Sequence, residues 1–230
     1  MNKVTWIIFG AVIVLVLGGL VVYSRSSKPT VDVSTLDTNS IIAASDQNGQ
    51  IADHVYGNPN AKVIFIEYGD FQCPSCSAAH PQIKAATEAY KDKVAFVFRN
   101  FPLTTIHPNA RVAAASAEAA GLQGKYWEMH NLIYESQADW EKLAGEQRTN
   151  LFVGYAVELK LDEAKFKTDI ASTAINNKIS YDQAVAKKVG VEATPTFYLN
   201  GKQLSSTDAG QIVRGSTSVL TGLFDKALAE

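Results

Sequence analysis

Hydrophobic positions change their pattern several times along the chain. Val4 to Ser24 carries no charged residue, and Trp6 to Tyr23 is apolar apart from its glycines. A helix rises ~1.5 Å per residue, so about 20 residues cross a hydrocarbon core. The run therefore predicts an N-terminal transmembrane anchor over residues 1–24, with Trp6 and Tyr23 as interfacial aromatics. A cleaved signal peptide competes with it, because Val22 and Ser24 form a weak cleavage site, but an h-region runs only about 7–15 residues. Lys3 precedes the run and Arg25 and Lys28 come after it, so charge does not orient it. The large domain is placed outside because a single N-terminal apolar segment commonly exports the rest of its chain. Residues 25–47, rich in Ser, Thr and Asp, predict a flexible tether, with packing on the domain open from Ile41 onward.

Residues 48–230 read as one domain. Gly57-Asn58-Pro59-Asn60 is a turn signal, and Val63 to Tyr68 is a near-continuous apolar run that suits a strand buried on both faces. Glu67 interrupts it. Either this carboxylate emerges into solvent at the strand end, or it is a buried acid that tunes reactive groups nearby. From Ser77 the pattern is helical, with Ala79, Ile83, Ala86 and Tyr90 on one face and Pro81 inside, where a kink is expected. Val94 to Phe98 is a second strand. An alanine-rich helical block comes next at about 104–188, with helices expected at Asn109–Ala120, Lys125–Glu135, Trp140–Leu159, Asp162–Ala171 and Ile175–Lys188. Strand character returns at Thr196 to Leu199. Asn200-Gly201 is a two-residue hairpin signal, and Gln203-Leu204 begins the return strand. Leu220, Leu223, Phe224, Ala227 and Leu228 give the apolar stripe of a terminal helix.

Composition narrows the possibilities. Of 230 residues 47% are hydrophobic, enough for a substantial core, and the net charge of −2 leaves no footprint of nucleic-acid binding. Cys73 and Cys76 are the only two cysteines, which excludes a disulfide-stapled scaffold. They sit in Phe71-Gln72-Cys73-Pro74-Ser75-Cys76, where the first strand gives way to the first helix. A Cys-x-x-Cys pair at such a junction points to thiol–disulfide exchange. Cys73 falls at the helix start, where unpaired N–H groups and the helix dipole favour a thiolate, so it is expected to be the exposed reactive sulfur. Pro74 suits the first turn, and Cys76, one turn in, is expected to be buried and resolving. A zinc site needs about four ligands. His54, His80, His107 and His130 show no paired ligand spacing, so no metal and no cofactor are expected. His107 and His130 read as surface or core residues.

Several stretches together resemble the DsbA-like thiol–disulfide oxidoreductases of the thioredoxin superfamily. They are Gly57-Asn58-Pro59, Glu67 to Cys76, Arg99-Asn100-Phe101-Pro102-Leu103 and Thr194-Pro195-Thr196-Phe197-Tyr198-Leu199-Asn200-Gly201. The resemblance covers about residues 51–230. It implies an α/β thioredoxin-like fold with an inserted helical domain, a cis peptide before Pro195, and Thr194 presenting backbone groups to an extended substrate. It further implies a monomer that oxidises exported proteins with cysteines and is reoxidised by a membrane quinone-linked partner, DsbB-like or vitamin K epoxide reductase-like. Strong oxidants of the family often carry His where this chain has Ser75, which leaves redox strength open. A reductase or isomerase of the same fold is the alternative, and a metal-binding or chaperone-like module a more remote one.

Overall fold

The computed structural model describes residues 31–230, together with residues 10, 12–16 and 18. The expected anchor over 1–24 and the first part of the tether lie for the most part outside the described residues. No helix among the described residues is long and apolar enough to cross a membrane. The chain divides into two compact units, Met1–Val31 and Asp32–Glu230, and the second carries the fold discussed below.

Five strands form one sheet in the order β1-β3-β2-β4-β5. Its centre is the parallel pair β2 (Val63–Gly69) and β3 (Val94–Asn100), in register from Val63 opposite Val94 to Gly69 opposite Asn100. All seven residues of β3 are buried. This is why both segments read as continuous apolar runs rather than alternating ones. β1 (Val55–Gly57) lies antiparallel on β3, and β4 (Thr196–Leu199) lies antiparallel on β2 with β5 (Lys202–Gln203) at the edge. β1 is a three-residue strand that the sequence pattern did not flag. Asn200 and Gly201 turn β4 into β5 with φ of 46° and 76°, the positive values that this residue pair tolerates.

The helices are numbered in chain order. α1 (Pro74–Ala89) links β2 to β3 and runs on through Pro81. The insertion comprises α2 (Ala110–Gly121), α3 (Tyr126–Glu135), α4 (Gln137–Trp140), α5 (Gly145–Glu158), α6 (Glu163–Ile170) and α7 (Thr173–Lys188). The single helix expected at Trp140–Leu159 is two helices. Gly145 takes a φ of 54°, and fully buried Trp140, whose Nε1 donates to the Ile133 carbonyl, closes the short first one. Ala113, Ala114, Ala117 and Ala120 of α2 are buried and small, so α2 packs closely on α3, α6 and α7. α8 (Ser206–Val213) and α9 (Thr217–Ala229) complete the layer beside α1, with Leu220 and Phe224 fully buried as the stripe predicts.

One sheet face ends in buried charge. Arg99 of β3 donates to Asp53 Oδ2 at 2.8 Å, to the Tyr68 hydroxyl, and to the carbonyls of Thr38 and Ser40. Lys178 of α7 donates to Asp53 Oδ1 and Asp182 Oδ1 at 3.0 and 2.8 Å. Asn100 ties Asp182 to Glu118, which also bonds His54. These bonds correct the expectation of a tether reaching to residue 47. Lys188 holds the carbonyls of Val33, Ser34 and Leu36, and Ile42 is buried with its N–H on Asp53. The segment packs because cations of the folded domain need backbone acceptors, a demand its Ser, Thr and Asp content does not reveal.

Burial pushes the Asp53 carboxyl up, but the Lys178 and Arg99 charges outweigh it and hold it at about 2. Its contribution is therefore complete above about pH 4, where the unfolded carboxylate is ionised, and is lost as pH falls toward 2. Asp53→Ala strands two buried cations and is expected to destabilise the domain by about 3–5 kcal/mol at neutral pH. Urea unfolding at pH 7 checks this, and a loss below about 1 kcal/mol would show that the network relaxes without it.

Candidate active site

The two cysteines lie where β2, α1 and the loop before β4 converge. Cys73 is the N-cap of α1, with extended backbone (φ −71°, ψ 123°), and Pro74 occupies the first helical position, where a missing N–H removes no helical bond. The Cys73 N–H donates to the Asp70 carbonyl at 3.0 Å, and its own carbonyl receives the first helical N–H, from Ser77. Pro74 and Ser75 are exposed. Cys76 is wholly buried, and Cys73 is only 6% exposed. Cys73 is thus the more accessible of the two, but it is itself buried and not the exposed residue expected from the sequence.

Thr194 explains that cover. Its peptide to Pro195 is cis, and its carbonyl accepts from the Cys73 thiol at 3.4 Å. The Thr194 hydroxyl is buried with no other partner and stands available to a Cys73 thiolate. A hydrogen bond from Cys76 does most to lower the Cys73 thiol. Thr194 and the backbone N–H groups of Cys76 and Ser75 add to it, outweighing the upward push of burial and bringing the thiol to about 5. Burial, then the bond to Cys73 and the nearby acidic groups, drive the Cys76 thiol well above its ordinary value.

Glu67 does not emerge into solvent. It is 2% exposed, and its Oε1 has no hydrogen-bond partner. Burial, and then the Cys73 charge, push its carboxyl up to about 8. Gly69 makes the cover possible. A Cβ there would lie 2.2 Å from the Phe98 ring and 3.1 Å from Glu67 Oε1, so a side chain would displace the ring that closes over the acid.

The loop carrying Cys73 is fastened to the helical insertion partly by residues that the sequence pattern did not single out. Gln137 donates to the carbonyls of Phe71 and Cys73 at 2.7 and 3.2 Å. Gln72 accepts from the Asn109 N–H and donates to the Glu141 carbonyl. Asn109 in turn donates to the carbonyls of Trp140, Glu141 and Leu143. Asp70 accepts from the N–H groups of Gln72 and Leu103 and pairs with His107 at 2.8 Å. Asp70, Gln72 and Leu103 lie within the stretches that carry the resemblance, whereas Asn109 and Gln137 belong to none of them. His107 therefore braces a loop, and buried His130 packs against Phe71 and Phe98, so neither touches the thiols. Among the described residues no group of three acidic, His or Cys side chains is placed to hold a metal.

A near-surface thiol and a buried thiol at the start of a helix, on a sheet of this topology and beside a cis-proline loop, define a thioredoxin-fold dithiol protein. The chain belongs to the thioredoxin family, whose sequence profile matches residues 50–213. With its helical insertion the domain has the DsbA-like form of that fold. It superposes on BdbD from Bacillus subtilis with a TM-score of 0.62 at 22% identity, covering 83% of this chain and 100% of that one. Alpha-DsbA2 from Wolbachia pipientis gives 0.63 at 22% identity, over 79% and 90%. A thioredoxin-like oxidoreductase from Silicibacter pomeroyi DSS-3 gives 0.56 at 25% identity, over 76% and 99%. Among curated proteins, the Na(+)/H(+) antiporter NhaA 1 of Salinispora arenicola is 40% identical over 151 residues, which are 66% of this chain and 22% of that protein. NhaA 1 of Mycolicibacterium gilvum is 36% identical over 165 residues, 70% of this chain and 26% of that one. The chain thus spans about a quarter of the length of the curated relatives it matches.

The raised Glu67 carboxyl and the Cys76 donor each have a measurable signature. A carboxyl raised on folding adds stability below its unfolded pKa, and that stability is lost as pH rises through the folded value. Relative to Glu67→Gln, the reduced wild-type protein should therefore lose stability between about pH 4.5 and 8, by on the order of 4 kcal/mol across the window. Parallel pH curves for the two proteins in urea titrations would refute this. For the Cys76 donor, thiolate absorbance should titrate at higher pH in Cys76→Ala than in Cys76→Ser, because the serine hydroxyl still reaches the Cys73 sulfur. Coincident titrations would remove Cys76 as the principal donor.

Proposed function

We propose that this domain is a protein thiol–disulfide oxidoreductase acting as a dithiol oxidase through Cys73 and Cys76. The observation that carries the reading is Cys73 at the helix N-cap beside Thr194, a setting that lowers its thiol, with wholly buried Cys76 one turn further in. Stabilising the thiolate stabilises the reduced pair, and a pair stable when reduced is a strong oxidant when joined as a disulfide.

In the oxidised protein a substrate thiolate attacks Cys73 Sγ, the Cys73–Cys76 bond breaks, and Cys76 leaves as a thiolate. Buried Cys76 cannot keep that charge. Glu67, protonated at neutral pH, is the proposed proton donor to it, and the resulting carboxylate takes a proton back from solvent before Cys73 leaves as a thiolate. A second substrate thiolate then attacks the substrate sulfur of the mixed disulfide, and Cys73 leaves as the stabilised thiolate. The substrate gains a disulfide and the domain holds two reduced cysteines. Thr194 and Pro195 form the wall against which the substrate segment lies, and Pro74 and Ser75 form the exposed rim.

The proposed clients are exported proteins with cysteines, met outside the cytoplasm by a domain tethered through the apolar segment before residue 24. A membrane quinone-linked thiol oxidoreductase, DsbB-like or vitamin K epoxide reductase-like, would restore the disulfide.

Equilibration with glutathione buffers should place the pair near or above about −150 mV, whereas a value below about −250 mV would turn the reading to a reductase. In the same preparation Cys73→Ser should abolish exchange, and Cys76→Ser should accumulate the mixed disulfide with a dithiol peptide. Alkylation of Cys76 ahead of Cys73 in the reduced protein would reverse the assignment.

A further inference from the structure

Beside the exposed rim of the active site runs a groove of about 430 Å³ between the loop before β4 and helix α8. Ser75, Thr194 and Pro195 form the end next to Cys73, and Leu204 and Val213 give it an apolar stretch. Arg214 is the one charged side chain in its lining. Among the described residues the Arg214 guanidinium makes no hydrogen bond or ion pair, unlike Arg99, Arg111 and Arg148, which all bond within the fold.

Gly210 shapes that arginine's position. It lies in the interior of α8, where glycine weakens a helix relative to alanine, so its presence calls for a reason. A Cβ on Gly210 would stand 3.1 Å from one Arg214 terminal nitrogen and 3.6 Å from the other, tighter than ordinary side-chain contact for the first. The bare backbone one turn earlier thus leaves room for the guanidinium of exposed Arg214 beside the helix, at the groove. Its donors form a fork that matches a carboxylate.

We propose that Gly210 and Arg214 make this groove a specificity site for substrate segments that carry an acidic side chain near the reacting cysteine. The inference rests on the dithiol-exchange reading above and adds to it which substrates are preferred. An exposed Arg–carboxylate pair changes a rate about two- to fivefold, and salt screens it.

The test uses the oxidised protein and synthetic dithiol peptides. The peptides are identical except that Glu or Gln occupies one of the positions two to five residues from the first cysteine. The quantity read is the ratio of kcat/KM for each Glu peptide to its Gln twin. In the wild type at least one position should give a ratio of about two to five at low salt, falling toward one at about 1 M salt. The ratio should approach one in Arg214→Ala and drop below one in Arg214→Glu. Gly210→Ala should reduce the ratio while raising the melting temperature, a combination that a general loss of folding cannot produce. Ratios of one at every position in the wild type, or a preference that survives Arg214→Ala, would overturn the proposal while leaving dithiol exchange standing. Absence of turnover on every peptide would instead overturn the exchange reading, and the specificity proposal with it.

Discussion

The space behind the active-site loop holds room for one negative charge. Three acidic groups share it: the thiols of Cys73 and Cys76 and the carboxyl of Glu67. Cys76 and Glu67 are sealed from water, and each is pushed toward its neutral form by burial and by its acidic neighbours. Cys73 alone reaches the helix N–H groups, the Cys76 donor and Thr194, so the charge settles there. The chemistry proposed for the pair stems from this exclusion. A disulfide that opens must place one sulfur where charge is tolerated and supply the other with a proton, and the geometry assigns those fates to different residues.

Such an arrangement survives only if its parts are held still. The sheet does this by dividing two faces between two electrostatic tasks. Glu67 of β2 sits opposite Phe98 of β3, while the next pair, Tyr68 and Arg99, turns to the other face. On that face Arg99, Asp53, Lys178 and Asp182 satisfy one another and draw in the carbonyls of residues 38 and 40. Buried ions of this kind contribute little net stability but are costly to break, so they fix a single arrangement. The loop itself is fixed from the insertion side. Gln137, Gln72 and Asn109 join residues 71–73 to the ends of α2 and α4. The inserted helices therefore do more than cover the site, because they set the position of the residue that caps α1.

Much of this was legible in the chain. Strands β2 and β3, helix α1, the hairpin at Asn200-Gly201 and most of the insertion can be read from apolar runs and helical spacing, because burial on both faces leaves an unmistakable pattern. The Cys73–Cys76 pair was legible for a different reason, since the two cysteines stood alone at a strand-to-helix junction. The illegible parts depend on partners distant in sequence. Glu67 could be read as buried or exposed, and its burial depends on neighbours such as Phe98 on the adjacent strand. The network of Asp53, Arg99 and Lys178 joins residues up to 125 positions apart, and charged side chains in a sequence look alike whether they meet water or each other. The segment from Val33 to Ile42 looked like a tether because its anchoring atoms are backbone carbonyls, which no composition reports. Helix α8 was missed although Ser205 caps it through the N–H of Asp208, a Ser-x-x-Asp signal present in the chain but with too little apolar periodicity after it to stand out.

The same exclusion bears on Ser75. A histidine there would hold a Cys73 thiolate by charge, and that help fades as the imidazole loses its proton near pH 6.5. In this chain the thiol is lowered by the Cys76 donor, by Thr194 and by two backbone N–H groups, with no cation in the set. None of these donors titrates between pH 5 and 8, because burial holds Cys76 protonated well beyond that range. They are short-range hydrogen bonds within a nearly covered site, so salt screens them far less than it would an exposed charge pair. The serine therefore leaves the thiolate stabilised over the whole interval in which thiol exchange is useful. It also leaves Arg214 as the one charged side chain among the residues that line the groove.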